Sequence, residues 1–187
     1  VHWKIPCCYA SSYLSNMKGY RTLTKNVLRE KKINTGSQEI YYETFEYEPK
    51  PRKGFKLVIV LDDEKMQMEN SKTHKWRNLR KKYKFQGGTL AIFPKVIRVD
   101  PKIWEEDIIV AFVHTLIIQL VSKEIVDPAK VCLLGEDTAC DAVMKISNKI
   151  GHFFSSVGML NCKQILFDVK NFRNLPIAVS MEPSLKD

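Results

Sequence analysis

The chain has 187 residues, 44% of them hydrophobic, and 30 Lys and Arg against 21 Asp and Glu give a formal net charge of +9. This balance excludes intrinsic disorder, and the length fits one domain with an extension, or at most two small domains. A membrane span needs about 20 predominantly apolar residues, whereas the longest apolar run, 108–121, is interrupted by His114, Thr115 and Gln119.

No initiator Met opens the sequence, as expected of a piece excised from a longer chain, so a missing targeting segment carries no information. Five Cys, an odd number, argue against a disulfide framework and for a reducing intracellular compartment, nuclear or cytoplasmic. Cys132, Cys140 and Cys162 lie in apolar patterns and read as small buried hydrophobes. Cys7 and Cys8 are adjacent, with no Cys-x-x-Cys or His-x-x-x-His partner, so neither a structural metal nor a cofactor is expected.

In chain order, residues 1–36 read as an N-terminal helical extension. Tyr13, Leu14 and Met17 form one apolar stripe, Gly19 interrupts, and Leu23, Val27 and Leu28 resume the helical spacing. Residues 37–187 then form an α/β domain. The aromatic stretch 38–48 reads as a strand, and the Pro- and Gly-containing turn 49–54 makes it a hairpin with the apolar strand at 55–62. Ser71 caps a helix over 72–84 whose seam is Trp76, Leu79 and Tyr83. Gly87-Gly88 ends that helix, and a strand follows at 89–93, extending through Val96 to Val99.

Asp100-Pro101 starts a helix running to about Lys123. A buried strand at 131–134 ends in Gly135, and Asp137 caps a helix whose 3–4 spacing continues through Phe153 and Val157 to a stop at Gly158. Strands at 164–169 and 176–179 close the series. Alternating strands and helices predict a three-layer, Rossmann-like α/β fold. Its sheet is mostly parallel, with an antiparallel edge hairpin.

Charge is concentrated. Residues 50–84 hold 12 of the 30 Lys and Arg and only 4 of the 21 acids. Lys72, Lys75, Arg77, Arg80, Lys81, Lys82 and Lys84 have no acid among them, so a helix there carries an unneutralised face that suits an external polyanion. Arg52 and Lys53 extend the patch. The first expectation is therefore a non-enzymatic nucleic-acid-binding domain, for RNA or DNA, contacting mainly phosphates. At the level of fold this arrangement resembles the phosphate-binding middle domain of Argonaute proteins and catalytically dead nuclease domains that serve as assembly partners, with no motif of either matched residue by residue.

The alternative is a protein–protein assembly module or homo-oligomer presenting the strand 38–48 and the N-terminal region, where Tyr and Phe would serve as anchors. A third reading is a metal-dependent phosphoesterase. Asp62, Asp63, Glu136 and Asp168 follow strands, and carboxylates on one rim could hold Mg²⁺. Gly-rich phosphate loops and G-x-S-x-G are absent. His114 reads as a core residue, and His152 as a cation at a helix end.

Overall fold

A computed structural model of the chain describes residues 28–34, 39–61, 85, 87–95, 107–162 and 174–181. Its frame is a seven-stranded sheet in the order β1-β2-β4-β3-β5-β6-β7. The strands are β1 (Leu28–Asn34), β2 (Glu39–Tyr47), β3 (Phe55–Leu61), β4 (Thr89–Lys95), β5 (Val126–Glu136), β6 (Ser156–Cys162) and β7 (Ile177–Met181). Helix α1 (Asp107–Ser122) leads into β5, and α2 (Ala139–Ile150) joins β5 to β6. Strand β2 is antiparallel to both its neighbours, β1 and β4. From β4 across to β7 every pairing is parallel.

Strand β3 lies at the centre because its side chains suit burial on both faces. Leu57, Ile59 and Leu61 enter the main core with Ile92, Val131 and Leu133, beneath Phe112 and Leu116 of α1 and Val143 and Ile146 of α2. The alternate residues Val58 and Val60 pack on the opposite face with Ala91, Phe93, Cys132 and Leu134. Both faces are thus covered, and the three-layer α/β expectation holds. Helix α1 buries Ile109, Phe112, Val113, Leu116, Ile117 and Leu120, a stripe at three- and four-residue steps. His114 is exposed on its other side, edge-on to Phe153 at 5.2 Å, and is not a core residue.

Three local expectations are corrected. Leu28–Asn34 forms strand β1 rather than a helical turn, because pairing of Ile33 with Ile40 buries both side chains in the core. The hairpin partner of β2 is β1, not β3; β4 separates β2 from β3. Third, α2 stops at Ile150, a 3₁₀ turn spans Gly151–Phe153, and Ser156–Cys162 is a strand. Val157 fits a helical spacing from Phe153, but Val157 and Met159 also alternate around Gly158, and pairing with β5 selects the period of two.

Strand β5 is longer than its sequence suggests. It contains Pro128 in an irregular stretch where Val126 and Val131 lie opposite Phe55 and Leu57. There the Asp127 carboxylate accepts the Ala129 N–H at 3.0 Å. Beside it, Gly54 has φ +97°, and a Cβ would meet the Val126 carbonyl carbon at 2.8 Å, so only glycine lets the β2–β3 turn approach β5.

Candidate active site

In open α/β sheets ligands lie beyond the carboxyl ends of the strands. At that edge β5 passes into α2 through only Asp137 and Thr138. Asp137 is in the left-handed region at φ +50°, and Thr138 already has helical angles. So short a turn brings helix and strand into close contact. A Cβ on Gly135 would meet Val143 Cγ2 at 2.4 Å and the Ala139 carbonyl oxygen at 3.0 Å, and Ala139 itself is fully buried. The sequence Gly135-Glu136-Asp137-Thr138-Ala139 thus places small residues two positions before and after a left-handed aspartate. Asp tolerates this conformation better than most residues. What distinguishes the turn is its position between those two small residues, at the ligand-facing edge.

The end of β6 holds the turn in three ways. The Asp137 N–H donates to the Leu160 carbonyl at 3.0 Å. Asn161, itself left-handed at φ +53°, donates from Nδ2 to Glu136 Oε1 at 3.0 Å. Cys140, in the first turn of α2, forms a disulfide with Cys162, the last residue of β6, with Cα atoms 6.0 Å apart. The Asp137 carbonyl also accepts the Cys140 N–H at 3.2 Å. Residue 137 is therefore fixed through its own backbone and through both flanks.

This arrangement corrects several expectations. The N-cap position of α2 is Thr138, without a side-chain cap bond, and Asp137 occupies the turn before it. Cys140 and Cys162 are bonded to each other rather than reduced. Glu136 is buried and bonded to Asn161, and among the described residues no group of three or more His, Cys, Asp or Glu could hold a metal ion. Asp62, Asp63 and Asp168 lie outside the described residues, as do Lys72, Lys75, Arg77, Arg80, Lys81, Lys82 and Lys84. Arg52 and Lys53 are exposed in the turn entering β3, at the sheet edge opposite Asp137. His152 follows the far end of α2, about 18 Å along that helix from the turn at 1.5 Å per residue.

The sharp strand–turn–helix has the form of the nucleophile elbow of α/β hydrolases, where a Gly-x-Ser-x-Gly sequence lifts its central residue above the sheet. Solved structures agree on the fold. A thermostable esterase superposes with a TM-score of 0.58 at 14% identity, over 82% of this chain and 45% of its own. One of the esterases of the fungus Rhizomucor miehei gives 0.57 at 14%, covering 84% and 51%. A dienelactone hydrolase-like promiscuous phosphotriesterase from metagenomic libraries gives 0.57 at 11%, covering 82% and 66%. The chain spans about half the length of the first two. No protein-family model matches the sequence, and neither does any curated protein.

The architecture is therefore an α/β-hydrolase fold. The hydrolase neighbours overturn the reading as a non-enzymatic nucleic-acid-binding domain. A basic window in the sequence is compatible with many surfaces, whereas this strand order is the one shared with the hydrolase neighbours. A literal Gly-x-Ser-x-Gly does not describe this turn. The usable signal was Gly-x-x-x-small between a buried strand and a helix, whatever residue stands in the middle.

Proposed function

We propose that the protein is a hydrolase whose reaction takes place at the elbow after β5, with Asp137 as the residue that meets the substrate. The observation carrying this reading is the left-handed Asp137 between Gly135 and Ala139, on the ligand-binding edge of an α/β-hydrolase sheet. The esterase and dienelactone hydrolase-like neighbours support it at the level of fold. A carboxylate replaces the usual hydroxyl, and carboxylates are an established class of covalent catalyst.

In this fold a catalytic acid and a histidine follow the nucleophile in the chain. Among the described residues His114 and His152 do not reach the elbow. Any histidine completing the reaction is supplied from elsewhere in the protein. The Cys140–Cys162 bond favours an oxidising compartment over the reducing one expected from the odd cysteine count. Among the described residues no helix is long and apolar enough to cross a membrane.

The test is a panel of chromogenic esters, lactones, phosphotriesters and alkyl halides, hydrolysed by the protein and by Asp137→Ala. Activity on at least one substrate, lost in the variant while its melting curve is retained, supports the site. Equal activity in both proteins removes Asp137 from it.

A further inference from the structure

We propose that the exposed face of α1 is a self-association surface, covered by α1 of a second copy of this chain lying antiparallel to it. This face takes no part in the turn between β5 and α2, so the inference stands apart from the hydrolase reading.

A surface helix ordinarily carries charged residues opposite its buried stripe. In α1 they are absent: residues 108–122 are 15 consecutive positions without Lys, Arg, Asp or Glu, in a chain that is 27% charged. The inner side of the helix is committed to the main core. On the outer side Asp107, Ala111, His114, Ile118 and Ser122 are exposed and Thr115 is half-buried. At 3.6 residues per turn these six share one stripe about 100° wide. Ile118 is left 46% exposed, and among the described residues only Met181 is another large hydrophobic side chain so open to solvent. Phe153, half-buried and edge-on to His114, carries the patch past the helix, with His152 beside it at 4.3 Å between ring centroids.

The order of residues along the stripe selects a second copy as its cover. About a two-fold axis between His114 and Thr115, an antiparallel copy sets position 111 level with 118 and position 107 level with 122. The small Ala111 then faces the protruding Ile118 of the second copy, and the symmetry repeats the contact on the other side of the axis. Charge stands only at the two ends. Asp107, with Lys145 and Lys149 beside it, opens the helix, and the exposed Lys123 and Glu124 follow its last residue. Antiparallel packing brings Asp107 near Lys123 of the second copy and Lys149 near its Glu124, so opposite charges meet at both ends. Parallel packing would set Ile118 against Ile118 and Asp107 against Asp107. One helix pair buries less than the roughly 1,200–2,000 Å² of a standard interface, so the dimer should be weak, dissociating in the micromolar range or above.

The test is sedimentation velocity of the whole chain from low micromolar to near-millimolar concentration. The weight-average mass should rise from one chain toward two. Ile118→Lys should stay a single chain throughout, with the melting curve of the unaltered protein at the lowest concentration. Ala111→Ile and Ile118→Ala should each weaken the dimer about 10-fold, and combining them should recover most of the loss, because the two positions face each other across the axis. A single chain at every concentration overturns the proposal and leaves the face to a partner of another kind. A dimer that Ile118→Lys does not weaken overturns it too, as do losses that merely add in the combined variant. None of these results bears on Asp137-dependent hydrolysis.

Discussion

At the residue scale the account turns on a few atoms around Asp137. Replacing Gly135 by Ala puts a Cβ 2.4 Å from Val143 Cγ2 and 3.0 Å from the Ala139 carbonyl. Val143 is fully buried and stiff at χ1 within α2, and the backbone oxygen is fixed by the helix, so Gly135→Ala should cost about 1–3 kcal/mol in urea unfolding, the range for overpacking, and should lower activity with it. The Asn161–Glu136 bond is tested by Asn161→Gly, which keeps the left-handed backbone and removes only the amide. A hydrogen bond contributes roughly 0.5–1.5 kcal/mol, and a loss of about that size is expected. Full stability in that variant would show that the bond does not hold the elbow. In the sequence alone, Asp137 after a buried strand has the form of a common helix cap. Its left-handed angle is imposed by the packing of α2 on β5, which no single residue announces.

At the scale of elements, the disulfide is the tie whose removal should be felt most. It closes a loop with a sequence separation of 22 residues around α2, and loops of this size gain about 3 kcal/mol from cross-linking. Reduction, or the double change Cys140→Ala with Cys162→Ala, should lower the melting temperature by several degrees and slow hydrolysis. An unchanged melting curve after complete reduction would contradict this. Helices α1 and α2 are also joined at the surface, where Asp107 accepts from Lys149 at 2.6 Å and lies 3.4 Å from Lys145. The hydrogen bond from Lys149, then its charge, then the bond from Lys145 hold the Asp107 carboxyl below its ordinary value. A lowered folded-state value means that the contribution is complete above the ordinary carboxylate range. It is lost as pH falls through the lowered value. Asp107→Asn should therefore melt only about one or two degrees lower at neutral pH, as exposed pairs do, with the difference closing in acid. A gap that persists in acid would show that the pair does not carry it. The ends of elements were the hardest features to read: Phe153 and Val157 satisfy both a helix and a strand, and only pairing with β5 decides between them.

For the whole molecule, the α/β class was legible because β3, α1, β5 and α2 each have a clear apolar period and follow one another in alternation. The strand order was not legible, since the turn after β2 is short enough for a hairpin, yet β4 returns from far along the chain to pair between β2 and β3. Function was less legible still. The basic window drew attention to a charged surface, while the proposed reaction centre consists of five inconspicuous residues that come together only when the strand, the tight turn and the helix form. The most direct test is kcat/KM for Asp137→Asn relative to the unaltered protein, on the best substrate from the panel, with both melting temperatures measured. The account predicts a fall of at least about 10³-fold with little change in melting temperature. Retention of most of the activity in a folded Asp137→Asn protein would contradict it.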